Sequence, residues 1–535
     1  MSWEIENLNG EAVPLASEQT STHEPRPLRN APGHDATSDA LRKVVARLEE
    51  MHRQGDISEL VREIEQNPLA SYFGLQPEVF QGMLEQIAES GTDTIGLVEG
   101  FLFLFPNNTY AQRFPAASLS SARAPWMKSV VLLGRLTDMR LNGRAHEADY
   151  LLGLMDASLG PAGSIVSDGK GFGVMLPLQA GITAMLGGHL KLALDYFARA
   201  QIQPMIPGLS FLTRDAYAKE ALVHAVFDRT KQAKRALRKA ASVPVVGSWV
   251  EPVIEATEQL AQVMINIEEG VCGVELLDDI ALHAVGEMWP FYVICLRRAL
   301  GHAGQHLELL QRVSVLEKMP FPRVDGEGLA GSVFPLARAT VSLLVGDLES
   351  ARRSLGRADP ECVCSLVMLI EIELAAGRPQ EAIKASGRLG DAAWAGLWRV
   401  DLWRLVALSA AYVELKRIDE AREALTLVLQ KGLSDRDYCY FSEPVLDFAV
   451  EHIEGWPERD RSQPQLAAIL PDVRLTGREF EILRLLAEKR PLKSMADELF
   501  ISVNTLKTHV KAIYRKLEVS SRDAAILRAE REGWV

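Results

Sequence analysis

A corner motif that recurs through the middle of the chain restricts it to stacked pairs of helices. Six times, a glycine or another residue placed as a turn is followed five positions later by alanine, with a helical apolar pattern on both sides. The corners are Gly143/Ala148, Gly188/Ala193, Asp228/Ala233, Gly346/Ala351, Gly377/Ala382 and Lys416/Ala421. They lie 31 to 45 residues apart, except for one gap of 118 with room for two more repeats turning near Gly270 and Gly304. Helix pairs that repeat at this length are typical of an α-solenoid.

The sequence before the repeats is helical as well. Leu41 and Leu48 lie on one apolar helix face, a second begins at Ile57, and Gly55-Asp56 forms the turn between them. No series of apolar β-runs alternates with helices, which predicts an all-α fold. With 24% charged and 47% hydrophobic residues, the chain is neither collagenous nor wholly disordered. No apolar run reaches the ~20 residues that a membrane helix needs, so we expect no membrane association.

Composition divides the chain into five segments. Residues 454–474 are rich in charge and carry a proline every seven residues, which is typical of a stiff linker. The expected segments are a disordered tail over 1–38, an N-terminal helical region over 39–125, the α-solenoid over 126–453, the linker over 454–474 and a C-terminal unit over 475–535.

Cysteine usage and charge indicate the compartment and one class of partner. The five cysteines are an odd number without a CxxC pair, and the acidic N-terminus is followed by no hydrophobic stretch. Both features predict a reduced, cytoplasmic protein without a disulfide frame or export signal. Residues 471–535 hold 13 Lys and Arg against 10 Asp and Glu, whereas the remaining chain holds 45 against 61. A basic end on an acidic body indicates a polyanion-binding module.

The C-terminal unit reads as four short helices. The first opens with Thr476-Gly-Arg-Glu479, a capping box in which both side chains satisfy backbone N–H groups. The second is predicted over Lys493–Phe500, and Ser502 is a suitable N-cap for the third, which runs to about Leu517. A fourth starts near Ser521.

The third helix divides by angle into an apolar stripe and a basic face. At 100° per residue, Val510, Ile513 and Leu517 fall within about 40° of Leu506. Roughly between 100° and 200° lie Lys507, Lys511, Asn504, Arg515 and Thr508. His509 and Tyr514 border the stripe, which predicts packing roles for both. A short helix, a tight turn and a helix with a basic hydrogen-bonding face are what reading of the DNA major groove requires.

Two family resemblances follow from these residues. The segment from Leu475-Thr-Gly-Arg-Glu479 through Ser502–Lys511 to Arg522 resembles the LuxR-type DNA-binding domain over about 60 residues. Its one departure is at the first corner, where Lys489 and Pro491 stand in place of the family's usual glycine turn. In the body, the positions that resemble the tetratricopeptide repeat are Leu408, Tyr412, Ala421 and Leu425, with Gly181, Gly188, Ala193, Phe197 and Ala200 in an earlier copy.

The LuxR resemblance implies a role for six polar residues of the C-terminal unit. Lys507, Thr508 and Lys511 match base-facing positions, and the fourth helix matches the family's dimerisation element. Asn504, Thr505 and Lys493 match positions that contact the phosphate backbone, and Arg515 is added from its angle alone.

Motifs for catalysis, cofactors or metals are not recognisable. The glycine-rich stretch 160–173 departs from a phosphate-binding loop in its spacing, and Lys170 is followed by glycine rather than Ser or Thr. His302 and His306 lack the glutamate of a zinc-binding HExxH motif, and Cys362-Val-Cys364 has unsuitable spacing for a metal. The chain looks like a large LuxR-type regulator without the P-loop ATPase. We expect no enzyme activity, cofactor or metal.

The sequence therefore predicts a bacterial-type transcriptional regulator that binds a double-stranded DNA operator as a homodimer and associates with the nucleoid when bound. Its helical-repeat body would sense a small-molecule or protein effector. The alternative is a helical-repeat interaction scaffold with minor or vestigial DNA binding.

Overall fold

The computed structural model describes residues 34–91, 101, 125–159, 170–271, 274–390, 396–434, 437–457, 475, 477–488, 490–517 and 519–531. Within these ranges the backbone forms 25 α-helices, two 3₁₀ segments and no β-strand. The all-α prediction is confirmed.

Four helices precede the repeats and seventeen form the rest of the body. The first four are α1 (His34–Gln54), α2 (Ile57–Gln66), α3 (Pro68–Gly74) and α4 (Pro77–Glu89). The next nine are α5 (Pro125–Leu141), α6 (Ala145–Leu159), α7 (Phe172–Leu186), α8 (Leu190–Gln201), α9 (Ser210–Phe227), α10 (Thr230–Ala240), α11 (Glu251–Glu269), α12 (Glu275–Asp278) and α13 (Trp289–His302). The last eight are α14 (His306–Leu316), α15 (Gly328–Leu344), α16 (Leu348–Leu355), α17 (Val363–Ala375), α18 (Pro379–Gly390), α19 (Trp398–Glu414), α20 (Ile418–Lys431) and α21 (Glu443–His452).

The six corner motifs mark turns between consecutive, mutually packed helices. Each corner alanine is completely buried, because only a small side chain lets the two helices of a pair approach closely. All four corner glycines have positive φ, between 65° and 89°, and Lys416 adopts the same left-handed conformation with φ of 58°. The two weakly marked turns at Gly270 and Gly304 also have positive φ. The helix pairs are present, while their tetratricopeptide-like stacking stays a prediction.

Contacts between distant parts of the chain close the body on itself. Asp228, which caps the end of α9, accepts a hydrogen bond of 3.0 Å from the backbone N–H of Trp398 at the start of α19. His146 of α6 lies 2.9 Å from the Asp359 carboxylate, and that carboxylate also accepts from the Gly328 N–H at 2.7 Å. In an open solenoid each repeat contacts only its neighbours. These bonds add contacts between helices that are far apart in sequence to the contacts within each helix pair.

The N-terminal helices share the core of the repeats. The indole N–H of Trp249 donates to the Tyr72 carbonyl at 3.0 Å, and the Ser248 hydroxyl donates to the Phe73 carbonyl at 2.8 Å. One apolar cluster extends from Leu41 to Val400. The expected boundary at residue 126 is thus not marked by a change of core. Helix α1 starts at His34, so the last residues of the expected tail are helical, and residues 1–33 lie outside the described part of the chain.

The C-terminal unit has its own apolar cluster, with one addition from the body. The cluster is built from residues between Leu475 and Ala529, and Val345, which follows α15, is buried within it. Residues 458–474, most of the expected linker, lie outside the described ranges. No helix that the structure describes is both long enough and apolar enough to cross a bilayer.

Candidate nucleic-acid interface

The four helices of the C-terminal unit are α22 (Gly477–Ala487), α23 (Leu492–Glu498), α24 (Val503–Lys516) and α25 (Arg522–Arg531). The expected end of the second helix at Phe500 is wrong, because α23 stops at Glu498. Phe500 adopts a left-handed conformation, with φ of 53°, and its side chain is 95% exposed. The backbone reverses here, which makes α23 and α24 a helix-turn-helix pair.

Helix α24 is anchored through the apolar stripe that its sequence predicted. Leu506, Ile513 and Leu517 are completely buried, and Val510 is half-buried against the same cluster. Removing each such side chain from water stabilises a fold by about 1.5–3 kcal/mol. The rotation of α24 about its axis is therefore fixed by packing, and so is the direction in which its opposite face points.

The beginning of α24 is fixed by its N-cap. The Ser502 hydroxyl accepts a hydrogen bond of 3.0 Å from the Thr505 backbone N–H and lies 2.8 Å from the Thr505 hydroxyl. This satisfies one of the N–H groups that a helix start leaves without a partner. The expected capping box of α22 cannot be followed in the same way, since Thr476 lies outside the described residues.

All seven residues expected at the DNA surface are exposed. They are Lys493 on α23 and Asn504, Thr505, Lys507, Thr508, Lys511 and Arg515 on α24. Within the described residues, Lys493, Lys507, Lys511 and Arg515 form no ion pair, in contrast to Lys516, whose ammonium lies 2.6 Å from the buried Glu479 carboxylate. Helix α24 thus presents six exposed cationic or hydrogen-bonding side chains and carries no carboxylate of its own.

The two borderline residues of α24 are partly buried. Tyr514 packs against the apolar cluster, and burial raises the pKa of its hydroxyl, with Arg522 opposing the shift. His509 is intermediate in exposure. Neither side chain belongs to the exposed basic face.

Arg522 holds the corner that departs from the family pattern, a role that sequence reasoning missed. Its guanidinium donates to the Leu486 carbonyl at 2.7 and 3.0 Å and to the Arg490 carbonyl at 3.0 Å. These carbonyls are the unpaired acceptors at the end of α22 and beyond it. Pro491 caps α23 in an extended conformation, and Lys489 lies outside the described residues. The guanidinium of Arg522 therefore joins the first corner to the start of α25.

The other candidate motifs are the glycine-rich stretch, the histidine pair and the cysteines. Lys170 donates a hydrogen bond to the Glu65 carbonyl, and residues 160–169 of the glycine-rich stretch are not described. Burial lowers the pKa of His306. Among the described residues no group of three His, Cys, Asp or Glu side chains is arranged to hold a metal ion, and Cys295, Cys362, Cys364 and Cys439 are free thiols.

The geometry defines the C-terminal unit as a helix-turn-helix domain with an exposed basic second helix. The family described as bacterial regulatory proteins of the LuxR family, or GerE, matches residues 473–529. The C-terminal domain of this chain belongs to that family.

Two curated proteins of Bacillus subtilis are similar over the same domain. The transcriptional regulatory protein LiaR is 48% identical over 62 residues, which are 12% of this chain and 29% of LiaR. The transcriptional regulatory protein DesR is 42% identical over 60 residues, 11% of this chain and 30% of DesR. The chain thus spans less than a third of the length of these relatives, and the similarity leaves out the helical body.

Proposed function

We propose that the protein is a sequence-specific DNA-binding transcriptional regulator whose C-terminal domain binds a duplex operator through α24. The observation that carries the proposal is the division of α24 into a buried stripe at Leu506, Ile513 and Leu517 and an exposed cationic face. Both similar Bacillus proteins are named transcriptional regulatory proteins, which supports the same role here. The proposal includes no catalytic step and no cofactor.

Helix α24 would enter the major groove with its exposed face toward the bases. Lys507, Thr508 and Lys511 are the proposed base-reading residues, because a lysine can bind guanine acceptors and a threonine can offer both its hydroxyl and its methyl group. The fixed rotation of α24 orients all three residues on one side of the helix.

A second set of residues would hold the phosphate backbone. Asn504, Thr505, Lys493 and Arg515 are the proposed phosphate contacts. Asn504 and Thr505 stand in the first turn of α24, where backbone N–H groups and the helix dipole favour an anion. The cation of Lys493 is exposed on α23, and that of Arg515 lies near the far end of α24.

The DNA-bound form would be a homodimer joined through α25. Leu527 on this helix is 69% exposed, whereas its neighbours Ala525 and Ile526 are buried. An apolar side chain of this size on the outer face supports a self-association surface, and a dimer would place two copies of α24 in successive major grooves.

Leu527→Glu is expected to convert a two-to-one protein–DNA complex into a one-to-one complex in analytical ultracentrifugation.

The helical body would control this DNA binding in response to a small-molecule or protein effector. Val345, at the corner between α15 and α16, is buried in the apolar cluster of the C-terminal domain. A displacement of that corner would therefore move a side chain that lies in the apolar core of the domain carrying α24.

Selection from a random duplex library tests the DNA-binding function. The full-length protein should enrich a common, roughly two-fold symmetric sequence, and Lys507→Ala/Lys511→Ala should lower the affinity for that duplex by more than about tenfold at physiological salt. The matched control is Lys43→Ala/Lys384→Ala, which removes the same charge from two exposed body lysines. Equal affinity of the two double variants would contradict the proposal.

Salt dependence separates the two proposed classes of contact. Lys493→Ala should weaken every duplex alike and flatten the slope of log K against log salt by about 0.9. Thr508→Ala should change which sequence is preferred, by about 1–3 kcal/mol at one base position. If the chain enriches no duplex and instead captures a stoichiometric protein, the scaffold alternative is correct.

A further inference from the structure

A cavity of about 400 Å³ opens near the C-terminal end of the body. Its walls are α17, α19 and the chain from Tyr440 to Val445, with Leu389 of α18 closing one side. Ile370, Leu389 and Val445 form a buried apolar floor. Small-molecule sites in proteins commonly have volumes of about 300–1,000 Å³ and mostly apolar linings. The cavity therefore has the size and the lining of a ligand site.

Two aromatic side chains in the wall are held in place by a buried ionic network. Arg399 lies 2.7 Å from one oxygen of Glu268, and Arg298 lies 2.6 Å from the other. Arg399 also donates to the Tyr440 hydroxyl at 3.2 Å, and the Arg298 guanidinium stacks 5.3 Å from the Trp403 ring centroid. Both aromatic walls are thus positioned before any ligand arrives, which lowers the entropic cost of binding.

The polar groups of the cavity are acidic. Glu371 of α17 and Glu414 of α19 both line the opening, and neither forms a hydrogen bond or ion pair within the described residues. Both side chains are exposed to solvent through the opening. Desolvation by the surrounding protein atoms raises the pKa of Glu371 to about 7, with Arg297 opposing the shift. A carboxylate in this setting gains most from a cationic partner.

We infer that this cavity binds an apolar organic molecule that carries a protonated amine, with Glu371 as its counter-ion and Trp403 and Tyr440 against its body. An anionic ligand would face two carboxylates, because Arg297, Arg298 and Arg399 are not among the lining residues of the cavity. The regulatory consequence rests on the function proposed above, since the amine would be the effector that the body senses.

Three probes that share one apolar body test the ligand class on the full-length protein without DNA. Phenylbutylamine, phenylbutanol and phenylvalerate each have a phenyl ring on four methylenes and differ only in carrying a cation, a neutral hydroxyl or an anion. Isothermal titration calorimetry at about pH 8 should give an affinity for the amine about tenfold or more above that for the alcohol, because a hydrogen bond to a charged group contributes about 1.5–3 kcal/mol. The acid should bind most weakly.

Variants identify the counter-ion and the place of binding. Glu371→Gln keeps the shape of the side chain and should reduce the preference for amine over alcohol to about one- to twofold, whereas Glu349→Gln, an exposed carboxylate on α16, should leave it unchanged. Ala407→Phe fills the cavity and should abolish binding of all three probes, with helical content checked by circular dichroism.

Several outcomes would overturn the inference. They are equal binding of amine and alcohol, tightest binding of the acid, no binding of any probe, or an unchanged preference in Glu371→Gln. Because the calorimetry contains no DNA, its failure leaves the DNA-binding function standing. If the amine binds but the affinity for the operator does not change, the cavity is a ligand site without the proposed regulatory role.

Discussion

Single residues in this protein act through contacts that a helical pattern cannot specify. His224 of α9 is the clearest case, because its ring lies 2.9 Å from the Asp228 carboxylate and 3.7 Å from that of Glu220. Burial alone would lower the pKa of His224, but the hydrogen bonds to Asp228 and Glu220 outweigh it and raise the pKa to about 9. The same Asp228 accepts from Trp398, so the charge on His224 supports the link between α9 and α19.

The stability of the body should therefore depend on pH through His224. Because the folded-state pKa lies above the unfolded value of 6.5, the stabilisation is fully present below pH 6.5 and is lost as the pH rises through about 9. Its size is about 3 kcal/mol. His224→Gln should lower the melting temperature at pH 6 and flatten its decline toward about pH 9. His283→Gln, at an exposed histidine, should follow the wild type; identical profiles for all three proteins would refute the role.

At the scale of helices, the sequence predicted what depends on local period and turn chemistry. The corner spacing located six turns, and the 100° rule located both faces of α24, because side-chain direction along a helix follows from position alone. Contacts such as His146 with Asp359 join residues more than two hundred positions apart, and no local pattern encodes them. The cavity beside Glu371 was missed for the same reason, since its walls come from four separate segments.

Two glycines at equivalent turns should respond differently to the same substitution. Gly143 and Gly304 have nearly equal φ values of 73° and 69°, so alanine carries a similar conformational strain at both. A Cβ at Gly143 would lie 2.3 Å from the Arg323 Cα, whereas a Cβ at Gly304 would meet nothing within 4 Å. Gly143→Ala should thus be less stable than Gly304→Ala by about 1–3 kcal/mol, measured by urea unfolding. Equal losses would show that the backbone at Arg323 yields freely.

At the scale of the whole molecule, the helical body contributes Val345 to the apolar cluster of the DNA-binding domain. Val345 is 3% exposed because it is buried in the cluster of the C-terminal domain. One contact of this size stabilises an arrangement by only a few kcal/mol, about 1.5–3 for a fully buried valine. Such a contact is weak enough for an effector in the body to break or strengthen.

Val345→Asp should release the C-terminal domain from the body. The expected result is a larger radius of gyration in small-angle X-ray scattering and faster proteolysis between the two units, since a buried unpaired carboxylate is costly. Val315→Asp, at a valine that is 58% exposed, is the matched control and should leave both measurements unchanged. A scattering profile of the first variant that overlays the wild type would contradict the docking role of Val345.

The bond between Asp228 and Trp398 has a consequence for how the protein can be shortened. A linear array can lose a terminal unit and keep the others intact, but here the start of α19 is fastened to the end of α9, 170 positions earlier in sequence. Deleting the last helix pairs would remove this hydrogen bond and expose apolar side chains of helices much earlier in the chain. Truncation should accordingly unfold the whole body rather than only its last helices. Related proteins with this architecture would then be expected to differ in surface residues more readily than in their number of helix pairs.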